Sequence, residues 1–277
     1  MRLTRFGTPR QWRRARRALV ALAVAGLVLV LTGRLAPGVA VFGLGLLGLA
    51  LLEAALLRRS LLESDRQHHA LLQIRPLLGE VSLDLSRWAA DPITVHNAVR
   101  LLADTRPRLV LECGSGSSTV VMARCLRALG RGRIISLEHD PKYARRTADL
   151  LRLHGLEDVA TVVTAPLTER DTNGQRVRWY GPQYEPLLRG PVDVLLVDGP
   201  PGSSGPRARY PAVPLLAPHL APECWIMLDD GDRTDERAAA SAWRSELGAT
   251  LTYLEGGRGG WLLHRQATAT DSRQADT

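Results

Sequence analysis

Two uncharged apolar runs near the amino terminus constrain this chain more than any other feature. Residues 18–33 read ALVALAVAGLVLVLTG, and residues 35–52 are equally free of charge, with apolar character continuing past Glu53 to Leu57. Only Arg34 separates them, in the turn-like stretch Gly33-Arg34-Leu35-Ala36-Pro37-Gly38. A helix that spans a bilayer needs about 20 apolar residues. The second run meets this; the first is shorter, with flanking arginines able to snorkel toward the headgroups. The pattern predicts a two-helix transmembrane hairpin over 18–57. A cleaved signal sequence and a re-entrant element are the competing readings, and a second long apolar run so soon after the first fits cleavage poorly.

Charge then sets orientation. Seven arginines and no acid occupy residues 1–17, and Arg58-Arg59 follow the second run. The positive-inside rule places the basic tail 1–17 and everything beyond residue 58 on the cytoplasmic side, giving a multi-pass cell-membrane protein. The whole chain carries 36 basic and 28 acidic residues, a formal net of +8. Removing the tail leaves the remainder at about +1, so the net charge does not indicate a nucleic-acid partner. Lysine occurs once, at Lys142. The three cysteines, Cys113, Cys125 and Cys224, are odd in number and form no CxxC pair, and they read as buried or semi-buried free thiols of a reducing compartment.

Residues 58–90 read as a juxtamembrane helix and linker. From 91 to 265 the pattern changes to short apolar runs alternating with helical stretches. Buried-type strands are expected at 108–112, 133–138, 159–164, 192–198 and 224–229, with helices at 117–129, 141–154, 210–220 and 233–247. Near-continuous apolar strands separated by helices predict a doubly wound, mostly parallel sheet. Strands at 250–254 and 260–264 are joined by too few residues for a crossover, so they pair antiparallel at the end of the sheet. Residues 266–277 are polar and aperiodic and read as a disordered tail.

Ligands of open α/β sheets lie at the carboxyl ends of the strands. Standing there in this chain are Glu112-Cys113-Gly114-Ser115-Gly116-Ser117, Glu138-His139-Asp140, Asp198-Gly199-Pro200-Pro201-Gly202 and Asp229-Asp230-Gly231. The Gly114-x-Gly116 loop lets the backbone approach a ligand, and the following helix offers free N–H groups. Glu138 lies 22 residues beyond Gly116, where a carboxylate can accept from two ribose hydroxyls. A dinucleotide fingerprint would carry a third glycine at 119, where this chain has Thr119, which counts against a nicotinamide enzyme.

The segments LECGSGSST (111–119), SLEHD (136–140), LLVDGPPG (195–202) and MLDDGDR (227–233) together resemble class I S-adenosylmethionine-dependent methyltransferases. Within that superfamily the chain is similar to a bacterial group with ExGSGxST and DGPPG segments. The resemblance implies a Rossmann-like methyltransferase fold over about 88–265, preceded by the two transmembrane helices. It implies S-adenosylmethionine as cofactor, with Glu112, Gly114, Ser115, Gly116 and Ser117 around its methionine part, Glu138 on the ribose and His139 beside the adenine.

Similarity to catechol-type O-methyltransferases implies a further site. Asp198, Asp229 and Asp230 stand where those enzymes hold magnesium, and three carboxylates suit a hard divalent cation such as Mg2+. The alternative reading stays open: Asp198 contacts cofactor or caps a turn, Asp229 contacts substrate, and Asp230 pairs with Arg233. Asp198 and Asp229 are the catalytic candidates, Asp198 as proton acceptor, with His219 a weaker choice of base. Trp88, Trp179, Tyr180 and Tyr184 either wall a substrate pocket or pack in the core. The expected activity is O-methylation of a small-molecule, sugar or lipid-linked acceptor at the membrane, without a nucleic-acid partner. A membrane-tethered interaction protein with a degenerate cofactor fold and a nicotinamide-dependent oxidoreductase are the other classes. Oligomeric state has no signal in the sequence.

Overall fold

The computed structural model describes residues 9–79, 90–172 and 174–267. The chain divides into two compact units, residues 1–65 and 66–277, each described on its own. Trp88, Arg2 and Arg5, and the tail from 268 on, lie outside the described residues.

The first unit is a helical hairpin built from α1 (Pro9–Leu31) and the start of α2 (Leu35–Leu78). The turn closes as a Schellman motif: Arg34 N–H donates to Leu29 O at 2.9 Å and Gly33 N–H to Val30 O at 3.1 Å, with Gly33 at φ 83°. Small residues let the two backbones approach. A Cβ on Gly45 would lie 2.6 Å from the Ala23 nitrogen, and one on Gly26 would collide with the Phe42 backbone. Arg16 and Glu53 pair across the hairpin at 3.0 Å, but both are exposed and the pair adds little stability.

Among the described residues, only α2 is long and apolar enough to cross a membrane by length and composition. The reason is local: α1 opens on arginines, and its uncharged part from residue 18 to 31 is about 21 Å long at 1.5 Å per residue, short of a bilayer core of roughly 30 Å. The juxtamembrane helix expected from Arg58 on is continuous with the apolar run before it. Residues 50–75 contain neither glycine nor proline, and α2 runs unbroken until Pro76 in its last turn. In the second unit the end of α2 buries Ala70 and Ile74, the latter packed with Val95 and Val121.

The second unit is the α/β sheet. Its strands are β1 (Leu109–Cys113), β2 (Arg133–Glu138), β3 (Ala160–Thr164), β6 (Val192–Val197), β7 (Leu220–Asp229), β8 (Thr250–Leu254) and β9 (Gly260–Arg265). They lie in the order β3-β2-β1-β6-β7-β9-β8. The first five are parallel, and β9 runs antiparallel to both neighbours, as the short connection between the last two strands requires. Helices α3 (Pro92–Thr105), α4 (Ser117–Ala128) and α5 (Pro141–Leu153) cover one face. α6 (Ala212–Leu216) and α7 (Thr234–Leu247) cover the other. Alternate strand residues feed the two cores, Leu111, Leu137 and Leu195 on one side against Val110, Ile134 and Val194 on the other.

Two features differ from the sequence expectation. Residues 167–180 form a two-stranded antiparallel hairpin, β4 (Leu167–Thr172) with β5 (Gln175–Tyr180). It buries Trp179 and Tyr180, which meet edge-to-face at 5.1 Å, and Tyr184 follows them into the core. The core reading of these three aromatics therefore holds. The second is helix α3 (Pro92–Thr105), which the sequence pattern did not mark; the proline-interrupted helix expected over 210–220 is Ala212–Leu216 followed by a 3₁₀ turn at Ala217–His219, Pro218 being unable to continue the α-helical ladder.

Candidate active site

β1 and β6 are neighbours, yet the chain leaves them in opposite directions across the sheet, toward β2 and toward β7. Their carboxyl ends therefore flank a topological switch point, where such sheets bind ligands. The loops after them touch. Gly199 N–H donates to Cys113 O at 2.7 Å, and a Cβ on Gly114 would sit 3.2 Å from the Gly199 nitrogen. Gly114 also holds φ 98°, in the region open to glycine. Space beside Gly116 is clear, since a Cβ there meets nothing within 4 Å. Ser117 then opens α4, whose N–H groups face the crevice end of the sheet.

Glu112 organises this loop. Its Oε1 accepts from Ser118 Oγ at 2.7 Å, and its Oε2 from Thr119 Oγ1 at 2.6 Å and Ser136 Oγ at 2.7 Å. Thr119, standing where a dinucleotide fingerprint has glycine, also accepts from Gly116 N–H at 3.0 Å. The threonine thus fixes the loop that a third glycine would have loosened. Burial raises the Glu112 carboxyl to about 7 against the pull of these three donors.

Glu138 ends β2 with both oxygens engaged. Oε2 accepts from Ser115 N–H at 3.1 Å and Ser115 Oγ at 3.3 Å; Oε1 accepts from Asp140 N–H at 3.0 Å and faces His139 Nδ1 at 2.9 Å. Ser115 Oγ has a second partner in Thr147 Oγ1 at 3.1 Å. Burial works to raise the Glu138 carboxyl, but the His139, Asp140 and Ser115 hydrogen bonds outweigh it and leave the group below its ordinary range. His139 is correspondingly raised, mainly by its bond to Glu138. The loop residues and Glu138-His139 expected at a cofactor site are therefore brought together.

Asp198, Asp229 and Asp230 also converge, with one carboxylate oxygen of each within 4.8 Å of the others. Asp198 and Asp229 line a small cleft with Glu112, Thr94, Met122 and Met227. Three arginines enter the cluster. Arg209, 5% exposed, places Nη2 at 2.9 Å from Asp230 Oδ2 and 3.2 Å from Asp198 Oδ1, and its Nη1 donates to Asp229 O at 3.1 Å. Arg258 lies 3.3 Å from Asp229 Oδ2 and 3.2 Å from Asp230 Oδ1. Arg233 pairs with Asp230 at 2.9 Å, as the alternative reading expects. Thr94 Oγ1 completes the shell by donating to Asp229 Oδ1 at 2.9 Å.

The electrostatics follow. Burial and the neighbouring Asp229 carboxylate push Asp198 well above the usual carboxylate range, with Arg209 opposing. Burial likewise raises Glu236, 3.9 Å from Arg209. Burial acts to lower Arg209, but the surrounding carboxylates outweigh it, so the guanidinium stays charged. These groups do not fit the divalent cation that the catechol-type resemblance implies: each oxygen of Asp229 and Asp230 has a guanidinium or hydroxyl neighbour within 3.3 Å, Asp230 Oδ1 by an ion pair without a hydrogen bond, and the charged Arg209 stands among them. His219 sits in the 3₁₀ turn at the opposite, amino-terminal end of β7, so it stands away from the strand ends that bear Asp198 and Asp229.

Sequence reasoning missed Arg209, Arg258 and Thr94. Arg209 and Arg258 come from loops without a motif, and Thr94 from a helix, α3, that the sequence pattern did not mark. An acidic rim at four strand ends was itself the available signal: so many carboxylates near burial require cationic partners from somewhere in the chain.

Comparison with known proteins agrees with this geometry. A methyltransferase-domain family matches residues 111–231. An arginine N(omega)-methyltransferase from Streptomyces achromogenes subsp. streptozoticus is 33% identical over 132 residues, covering 48% of this chain and 33% of that protein. The match thus spans about a third of the length of that curated relative. The crystal structure of the SAH-bound Podospora anserina methyltransferase PaMTH1 superposes with a TM-score of 0.50 at 15% identity, over 77% of this chain and 96% of that one. The SAM-bound O-methyltransferase TomG of Streptomyces achromogenes gives 0.47 at 17% identity, over 73% and 89%. The family match runs across the glycine loop and both acidic strand ends, so residues 111–231 resemble a methyltransferase domain in sequence, and the likeness to PaMTH1 extends this to the fold.

Proposed function

We propose that the domain transfers a methyl group from S-adenosylmethionine to an oxygen of a small-molecule, sugar or lipid-linked acceptor. The observation that carries this is the placement of Asp198. It is the one carboxylate of the acidic cluster that keeps appreciable exposure, 30% of its side chain, and it lines the cleft beside Glu112. When bound, S-adenosylmethionine supplies an electrophilic methyl on a sulfonium. The chain's own residues do the rest. Gly114 and Gly116 leave room for close approach of the methionine part. Glu138 receives the ribose diol, Ser115 Oγ yielding its long 3.3 Å bond because Thr147 offers another partner. His139, 31% exposed at the same edge, flanks the adenine. Asp198, raised above an ordinary carboxylate, accepts the acceptor hydroxyl's proton as the oxygen attacks in line. Asp229, held by Thr94 and Arg258, fixes the acceptor.

A second reading has its own support. The curated relative acts on arginine by name, and the carboxylates of this site already hold guanidinium groups. Methylation of a guanidinium nitrogen would use the same cleft. Incubating the full chain in detergent with methyl-labelled S-adenosylmethionine and separate pools of hydroxyl acceptors and arginine derivatives decides between them. Label on oxygen, lost in Asp198→Asn, supports the first reading; label on a guanidinium nitrogen overturns it. Failure of the chain to bind S-adenosylmethionine by calorimetry overturns both.

We also place the domain at the cytoplasmic face of a membrane, with the α1–α2 hairpin as anchor. The support is the apolar length of α2 and the arginine asymmetry around the hairpin. A topology reporter fused after residue 60 tests the orientation, and a signal from the outer face would reverse it.

A further inference from the structure

We propose that the Arg209 guanidinium occupies the place a divalent cation would take among Asp198, Asp229 and Asp230, so that this acidic cluster takes no metal and Arg209 positions the site instead. The inference deepens the methyltransferase reading and rests on it for the role of Asp198.

Geometry carries the argument. Five of the six carboxylate oxygens in the trio face a partner from the chain. Asp198 Oδ1 faces Arg209; Asp229 Oδ1 and Oδ2 face Thr94 and Arg258; Asp230 Oδ1 faces Arg258, and Oδ2 faces Arg209 and Arg233. Magnesium demands ligand oxygens at about 2.1 Å in near-octahedral array. It would have to take the same lone pairs, and it would stand beside a permanent positive charge. Arg209 cannot step aside cheaply. It is 5% exposed, and its Nη1 also holds the Asp229 carbonyl oxygen at 3.1 Å, so leaving would strand buried carboxylates and a buried guanidinium together.

What a metal does elsewhere by charge, the planar fork does here by direction. One Nη2 spans Asp198 on the β6 loop and Asp230 after β7, setting the separation of the two strand ends. Because Asp198 is reached through a single oxygen, its other oxygen remains for an acceptor proton. Lysine would keep the charge and lose the fork, so Arg209→Lys separates the two contributions.

The test is Mn2+ titration of the full chain in detergent, followed by electron paramagnetic resonance, with S-adenosylmethionine calorimetry on the same samples. Wild type is expected to show no single Mn2+ site, and chelation to leave its methyl transfer unchanged. Arg209→Met, which removes the cation and leaves the carboxylates, is expected to gain one Mn2+ site that Asp229→Asn abolishes. A wild-type Mn2+ site lost in Asp229→Asn would overturn the proposal, and this arm needs no Arg209 variant to fold. A folded Arg209→Met without the gained site would overturn it as well. Absence of S-adenosylmethionine binding in wild type would sink the methyltransferase reading while leaving the Mn2+ result to stand on its own.

Discussion

Thr94 Oγ1 donates a 2.9 Å hydrogen bond to Asp229 Oδ1 across 135 positions of sequence, tying the first turn of α3 to the end of β7. Asp91 caps the same turn, its Oδ1 accepting from Thr94 N–H at 2.9 Å, so one residue is held at both its backbone and its side chain. Thr94→Val keeps the shape and deletes the donor, leaving a buried carboxylate oxygen short of a partner. Stability is expected to fall by about 1–3 kcal/mol, the cost of such an orphaned group. Thermal unfolding in detergent measures it, and Thr94→Ser should recover most of the loss. Equal destabilisation by serine and valine would show that the methyl group, not the hydrogen bond, matters.

The ribose role of Glu138 predicts a specific loss. Glu138→Gln retains size but removes the charge that two ribose hydroxyls would meet. Affinity for S-adenosylmethionine is expected to drop by about 1–3 kcal/mol, roughly 5- to 150-fold. Calorimetric titration reads this directly, and an unchanged affinity would refute the assignment.

Glu112 predicts a pH dependence of stability. Its folded carboxyl is raised from 4.5 to about 7 by burial, so between those values the native state binds a proton that the unfolded chain releases. Stability from this group is therefore fully present below about pH 4.5 and is lost as pH rises through 7, a change of about 3 kcal/mol in all. Glu112→Gln, always neutral, should flatten that slope. Denaturant unfolding of both proteins from pH 5 to about 8.5 compares the slopes; parallel curves would contradict the shift.

The hairpin of the first unit depends on close approach. Gly45→Leu would push a side chain into the Ala23 backbone, 2.6 Å from where its Cβ must sit, and force α1 from α2. Oxidative crosslinking of a Leu19→Cys, Gly48→Cys pair, whose positions touch across the hairpin, should fall sharply in that background. Undiminished crosslinking would mean that the helices have another way to meet.

The parts of this molecule that were legible in sequence share a physical cause. Strands such as Leu109–Cys113 and Val192–Val197 are buried on both faces, so nearly every residue had to be apolar and the run announced itself. The Gly114 loop and Glu138 were legible because a close backbone approach at φ 98° and a carboxylate at the end of a buried strand are each open to few residue types. β4 and β5 stayed hidden because LTERDT and QRVRWY leave most of their charged side chains exposed, and Trp179 and Tyr180 at the end of β5, with Leu167 packed against the same core, carry too short an apolar signal. Arg209 and Arg258 stayed hidden for a different reason. A loop arginine is written the same way whether it faces water or a carboxylate, and only the fold decides. Helix α2 runs on through Arg58-Arg59, because charge ends an apolar run without ending helix propensity.

Lys142 opens α5 on an exposed surface, its backbone N–H held by Asp140 at 2.7 Å, four residues after Glu138. As the chain's single side-chain amine, it makes the protein addressable by acylating dyes at one internal position, apart from the α-amino group. A fluorophore attached there would sit beside the Glu138 edge proposed for the nucleoside, turning an accident of amino-acid usage into an optical reporter of cofactor occupancy under that proposal.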